Sequence, residues 1–179
     1  MLDFPPARPV MLDPPSQLQL TLSLRWAETS DLPWLRMLYR HTRAAELAAV
    51  PWHESAKHAF LDSQFALQHH HYVTHFASGD FLIVQHASEP IGRLYLHQAD
   101  EELHVVDISL LSTWQGRGIG SALLAQLQTL ATERSLRAIC LSVDRRNDAA
   151  RALYERMGFH IVSSQETHHY MRWPTKLVS

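Results

Sequence analysis

The chain has 179 residues, 46% of them hydrophobic and 19% charged, which suits one domain with a real core and not a disordered chain. Its formal net charge of -2 lacks the basic excess of a nucleic-acid-binding protein. Its one cysteine, Cys140, excludes an intrachain disulfide, and no apolar run approaches the ~20 residues that span a bilayer.

Along the chain, Pro5, Pro6, Pro9, Pro14 and Pro15 punctuate residues 1–18 and predict a flexible, extended arm ahead of a single domain over 19–179. This opening stretch has no apolar signal region, so cytoplasmic residence is the expectation. Met1-Leu2-Asp3 recurs as Met11-Leu12-Asp13, which leaves either methionine as a translation start. Leu20, Leu22, Leu24 and Trp26 alternate as in a strand over 19–26. Thr29, Ser30 and Asp31 offer N-caps, with Pro33 in an allowed first turn, for a helix that runs to about Ala48. A second helix over about 54–70 is expected to bury Phe60, Leu61, Phe65 and Leu67.

The period then changes to two. Asp80–Ala87 and Ile91–His97 read as strands joined by a turn at Ser88-Glu89-Pro90, and Glu102–Leu111 as a third. Ile119, Leu123, Leu127 and Leu130 mark an amphipathic helix over Ile119–Arg134. Arg137–Val143, nearly all apolar, reads as a central strand, within which Cys140 is a buried small residue. A helix over Asn147–Met157 stops at Gly158, and 159–163 and 168–173 close the sheet. This order predicts an α/β (α+β mixed) domain: a central mixed, mostly antiparallel sheet of about six to seven strands flanked by four helices.

Gln115-Gly116-Arg117-Gly118-Ile119-Gly120 lies between a strand and a helix. Glycines there let the backbone approach a ligand, and the helix start offers unpaired N–H groups with a partial positive charge, a ready pyrophosphate cradle. Arg117 adds a charged donor. The absence of a following Lys-Ser or Lys-Thr excludes a P-loop. A dinucleotide fingerprint remains: Gly116 and Gly118 fit its start, Ser121 replaces its third glycine, and Asp144 ends the next strand. A purely structural turn also remains at this point.

The second motif is Asn147-Asp148-Ala149-Ala150-Arg151-Ala152-Leu153-Tyr154-Glu155-Arg156-Met157-Gly158-Phe159. A Gln-x-x-Gly-x-Gly turn followed, one helix and one strand later, by Asn-x-x-Ala-x-x-Leu-Tyr-x-x-x-Gly-Phe resembles the GNAT superfamily of acetyl-CoA-dependent N-acetyltransferases. The resemblance is sharp over 103–159 and extends in element order over about 21–173.

The resemblance implies that Gln115, Gly116, Arg117, Gly118, Ile119, Gly120 and Ser121 bind the coenzyme A pyrophosphate. It implies that the backbone around Ile108 and Leu110 pairs with the pantetheine arm while their side chains pack in the core. Asn147 and Tyr154 share a helix face at about 3.6 residues per turn. Asn147 reads as the helix N-cap, to which the resemblance adds a contact with the cofactor arm. It also makes Tyr154 both a cofactor contact and the acid that protonates the departing thiolate. A phenol, with an ordinary pKa of about 10, keeps its proton for that task at neutral pH.

The implied reaction is direct attack of a primary amine, on a small molecule or a protein, upon acetyl-CoA, with no metal, nucleic acid or membrane partner. The family has no universal base. His104, Asp107 and Glu46 are candidates, and Asp107 and Glu46 are preferred because an acid in the apolar run Leu103–Leu111, or beside the acceptor cleft, needs a reason. Ser112 departs from a proline found in many members. Dimerisation is common in the family. The alternatives are a non-catalytic coenzyme A-binding module of the same fold and a nicotinamide-dependent oxidoreductase.

Six of the 13 histidines, His53, His58, His69, His70, His71 and His75, fall within the stretch that would border the acceptor cleft, 41–76. His71 and His75 have the spacing of a metal pair, but no third ligand accompanies them in a motif, and a solvated or substrate-lining helix end is the preferred reading.

Overall fold

The computed structural model describes residues 1–7, 12 and 21–175. Its elements in chain order are β1 (Leu22–Trp26), α1 (Leu32–Arg43), α2 (Glu54–His75), β2 (Asp80–His86), β3 (Glu89–Ala99), β4 (Glu102–Leu110), α3 (Ile119–Glu133), β5 (Ala138–Asp144), α4 (Asp148–Arg156), β6 (His160–Ser164) and β7 (His168–Pro174). Short 3₁₀ turns at Thr29–Asp31, Ala44–Leu47 and Ser112–Trp114 flank α1 and precede α3.

Among the described residues the strands form one sheet in the order β1-β2-β3-β4-β5-β7-β6. Its neighbours are antiparallel except for β4 and β5. The mixed, mostly antiparallel sheet with four α-helices is the architecture expected from the chain order.

Both faces of the sheet are covered, so its inner strands carry apolar residues on both sides, as in Phe81–Val84 of β2 and Ala138–Leu141 of β5. On one face Leu82, Val84 and Leu94 pack with Ile119, Leu123 and Leu127 of α3 and with Tyr154 of α4. On the other, Phe81, Ile83 and Tyr95 pack with Leu35 and Tyr39 of α1 and with Leu61, Phe65 and Val73 of α2. Each fully buried side chain of this size contributes roughly 1.5–3 kcal/mol.

Four expectations need correction. Phe60 and Leu67 are 40% and 64% exposed, because the buried row of α2 is Leu61, Phe65, His69 and Val73, one residue every four. The same helix continues to His75. The turn between β2 and β3 is Ala87-Ser88, both at positive φ (47° and 71°), with His86 opposite Glu89. That is the geometry of a tight two-residue hairpin. Pro90 lies inside β3 opposite Gln85, beside a register shift, the kind of irregular position at which strands tolerate proline. α1 ends at Arg43 and tightens into the 3₁₀ turn before Ala48, and Leu20 lies outside the described residues.

The first residues lie against the domain. His69 Nε2 and the Leu2 carbonyl oxygen are 2.6 Å apart, and Thr29 Oγ1 donates to Asp3 Oδ1 at 2.7 Å. The Phe4 ring meets His69 edge-on at 4.9 Å and lies 5.5 Å from Phe81. Of the remainder of the proposed arm, residues 8–11 and 13–18 lie outside the described residues, and Leu12 is buried in the core. No helix among the described residues is long and apolar enough to cross a membrane.

Candidate active site

The sheet opens where its two halves meet. β4 and β5 pair only over Glu102–Val105 and Ala138–Leu141. β4 then continues to Leu110 along β3, and β5 to Asp144 along β7, with no pairing between them. Val106–Leu110 therefore presents a main-chain edge to a wedge-shaped gap. Leu110 and Ile108 turn their side chains into the core, so this edge is supported from behind.

The glycine turn closes the wide end of the gap. Gln115 Nε2 donates to the Leu110 carbonyl oxygen at 2.9 Å and ties the turn to the strand. Gly116 and Gly118 sit at φ of 71° and 81°, the left-handed region that an L side chain resists. A Cβ on Gly116 would meet nothing within 4 Å, so the turn presents bare backbone to open space. Gly118 caps α3, whose first helical bond runs from Ala122 N–H to Gly118 O. The N–H groups of Ile119, Gly120 and Ser121 precede that bond and have no backbone partner among the described residues. With the helix dipole behind them, they suit a pyrophosphate. The Arg117 guanidinium lies 4.8 Å from the centre of the Trp114 ring.

α4 brings the second motif to the same place. Asn147 caps it, its Oδ1 accepting from Ala150 N–H at 3.0 Å. A Cβ on Gly120 would come 3.2 Å from Leu153 Cδ2, so α3 and α4 are in close contact there. The Tyr154 ring is buried in the core on the α3 face of the sheet, at 7% exposure, and its hydroxyl makes no hydrogen bond within the described residues. Burial pushes its pKa up to about 12, helped by the negative charge of Asp107. The phenol therefore holds its proton throughout the neutral range and has it free to give.

Asp107 is the hub of a polar network on the α2 side of β4. Arg93 donates from Nε to Oδ1 at 3.1 Å and from Nη2 to Oδ2 at 2.7 Å, Tyr72 donates to Oδ2 at 3.1 Å, and Ser109 donates to Oδ1 at 2.7 Å. Arg93 Nη2 also donates to Gln68 Oε1 at 2.8 Å. The Arg93 and Asp107 side chains are only 4% and 11% exposed. Burial, and then the Asp107 charge, drive the Tyr72 phenol far above its ordinary pKa. Sequence reasoning found Asp107 but missed Arg93, Tyr72, Gln68 and Ser109. The available signal was an arginine at an inward position of an alternating strand, between Ile91 and Tyr95.

The other candidates lie apart from this centre. Glu46, in the 3₁₀ turn after α1, accepts from Arg43 at 2.7 Å and is 41% exposed in its side chain. Its negative charge contributes to the raised pKa of Arg146 in the loop between β5 and α4, after the larger effect of Asp144. His104 pairs with Cys140 in the closed part of the sheet, away from the gap. The rings of His71 and His75 lie 4.1 Å apart, and no cluster of three metal-ligating side chains occurs among the described residues.

Residues 34–159 match the model of the acetyltransferase (GNAT) family. No curated protein matches the chain. Among solved structures, the PaiA N-acetyltransferase of Thermoplasma acidophilum, in complex with coenzyme A, is 17% identical, with a TM-score of 0.69 over 87% of this chain and 99% of that one. The spermidine N-acetyltransferase of Vibrio cholerae, with coenzyme A and spermine, gives 0.61 at 20% identity over 87% and 96%. The ribosomal-protein-S18-alanine N-acetyltransferase of Escherichia coli gives 0.60 at 20% identity over 88% and 96%. At these identities the likeness establishes the fold.

Proposed function

The chain belongs to the acetyltransferase (GNAT) family, an acyltransferase that uses acetyl-CoA, and from that premise we propose that it acetylates a primary amine by direct attack, with Tyr154 as the general acid. One observation carries the reading: α4 presents a buried phenol, its hydroxyl without a hydrogen bond among the described residues, from the helix that packs on the start of α3, in a fold whose β4 has an open edge beyond Val105.

Acetyl-CoA supplies the activated acetyl group. In this reading the N–H groups at the start of α3 and the backbone of Gln115–Ser121 hold its pyrophosphate, with Arg117 as a further donor. The main chain around Ile108 and Leu110 pairs with the pantetheine arm across the unfilled side of β4, and Asn147 adds its amide. The amine nitrogen bonds to the acyl carbon as the carbon–sulfur bond breaks, and Tyr154 delivers its proton to the leaving sulfur. The amine must shed a proton. Asp107 already accepts two hydrogen bonds on each oxygen, the capacity of a carboxylate, whereas Glu46 is partly exposed and has one oxygen without a hydrogen bond among the described residues. Glu46 takes that proton, through solvent. The dinucleotide alternative left open by the glycine motif does not suit this sheet, which has one parallel pair where a dinucleotide fold needs a run of parallel strands.

The test is a calorimetric titration with acetyl-CoA against an NADH control, followed by thiol release with a panel of primary amines: a polyamine, a lysine peptide, a peptide with a free amino terminus and an aminoglycoside. Saturable binding of acetyl-CoA alone, with amine-dependent thiol release, supports the assignment. Binding without release from any amine would reduce the protein to a coenzyme A-binding module.

A further inference from the structure

Asp107 is short of nothing. Four donors surround it: the two nitrogens of the buried Arg93 side chain on β3, the hydroxyl of the half-buried Tyr72 on α2, and Ser109. Ser109 is set apart by its place in the chain. It stands two residues further along β4, on the same face as Asp107, within the stretch that has no β5 partner and one residue before Leu110, whose carbonyl is tied to the glycine turn. It is half-buried, and it is the one hydroxyl on β4. Its proton is committed to Asp107 Oδ1 at 2.7 Å. A hydroxyl so committed faces every other neighbour as an acceptor only. Tyr154, whose buried ring feels the charge of Asp107, faces the reaction as a donor.

We propose that Ser109 is the residue that receives the acceptor amine, its oxygen accepting an amine N–H, and that Asp107 is a positioning residue that acts through it by fixing the direction of the hydroxyl. This rests on the transferase reading above and assigns the group that orients the nucleophile. A neutral primary amine has two N–H groups. One is held by Ser109, the other is lost as the carbon–nitrogen bond forms, and the lone pair is left aimed at the acyl carbon. A secondary amine has a single N–H and cannot keep one on Ser109 while losing its only proton. The arrangement therefore selects primary amines, and the Arg93–Asp107 pair gives the floor of the site no net charge with which to attract a polycation.

The test compares wild type with Ser109→Ala and Ser109→Thr, using the amine of the panel that turns over best and its N-methyl derivative. Loss of a hydrogen bond at this point predicts that Ser109→Ala lowers kcat/KM for the primary amine by about 10–100-fold. The same variant is expected to narrow the preference over the N-methyl amine and to keep its acetyl-CoA affinity, with a melting temperature lowered modestly by the lost hydrogen bond to Asp107. Ser109→Thr, which keeps the hydroxyl, is expected to recover most of the activity. A folded Ser109→Ala that matches wild type in kcat/KM and in amine preference overturns the assignment. A wild type that binds acetyl-CoA and releases no thiol with any amine overturns the transferase reading itself, and this inference with it.

Discussion

Tyr154 is the residue at which burial and chemistry meet. A phenol pushed up to about 12 is a poor base and a persistent proton source. Tyr154→Phe is expected to bind acetyl-CoA as wild type does and to lose about 10²–10⁴ in turnover, the usual contribution of a general acid. The sign of the shift also fixes the pH profile. In the proposed mechanism the active form is the protonated one, so kcat/KM should rise with pH as the amine deprotonates and show no decline assignable to Tyr154 up to pH ~10. A descending limb near pH 9 that disappears in Tyr154→Phe would assign the tyrosine an unshifted pKa and remove burial from the account. Asp107 makes the opposite kind of demand. Asp107→Ala strands the Arg93 cation at 4% exposure, and breaking such a pair from one side costs about 3–5 kcal/mol. Its signature is a fall in melting temperature even without substrate. Replacing both partners with apolar residues should recover much of that loss, although Ser109 would then lose its anchor.

At the scale of elements, α2 shows why parts of the molecule escape a reading of the sequence. Its helical period is visible in Leu61, Phe65 and Val73, but the fourth inward position is a histidine. Nothing near it in sequence says so, since the group facing His69 is a carbonyl 67 residues away. Phe60 and Leu67, apolar and plausible, are left outside. Asp107 shows the same limit, because its partners lie 14 and 35 residues away on β3 and α2. By contrast, the glycine turn and the cap at Asn147 are local devices, legible because the chemistry and its backbone geometry are adjacent in the chain. The docking of the first residues on α2 carries its own consequence. Burial holds the His69 pKa below its ordinary 6.5, with Arg93, His70 and the amino terminus adding to the effect. A group depressed in the folded state contributes stability that is complete above its unfolded pKa and is lost as pH falls through the folded value. The melting temperature should therefore drop between about pH 7 and pH 5. In His69→Phe, which keeps the ring contacts with Phe4 and Phe65, the drop should be smaller. Parallel curves would mean that protonation of His69 is not coupled to folding.

For the molecule as a whole, the gap between β4 and β5 is a structural deficit that the cofactor, bound as proposed, would repair. The sheet is joined there by only four residue pairs, Glu102–Val105 against Ala138–Leu141, and beyond them each half is held by its own neighbours. Element order made such a sheet predictable, because strand-helix-strand after the third hairpin strand forces one parallel pair. The point at which pairing stops is a matter of twist and packing that periodicity does not record. An extended arm lying along Val106–Leu110, with its pyrophosphate on α3, would connect the two halves. Acetyl-CoA at one hundred times its dissociation constant should then stabilise the fold by about 2.7 kcal/mol, which for a chain of this size raises the melting temperature by roughly 5–10 °C. Gly118→Glu places a carboxylate where the phosphates should lie and a side chain at a φ of 81°, so it should lower the melting temperature of the free protein slightly and abolish the shift altogether. Thermal scans of the two proteins with and without acetyl-CoA, and with NADH as control, read both effects. A shift that survives Gly118→Glu would put the phosphates elsewhere, whereas its loss in a folded variant ties closure of the sheet to the glycine turn.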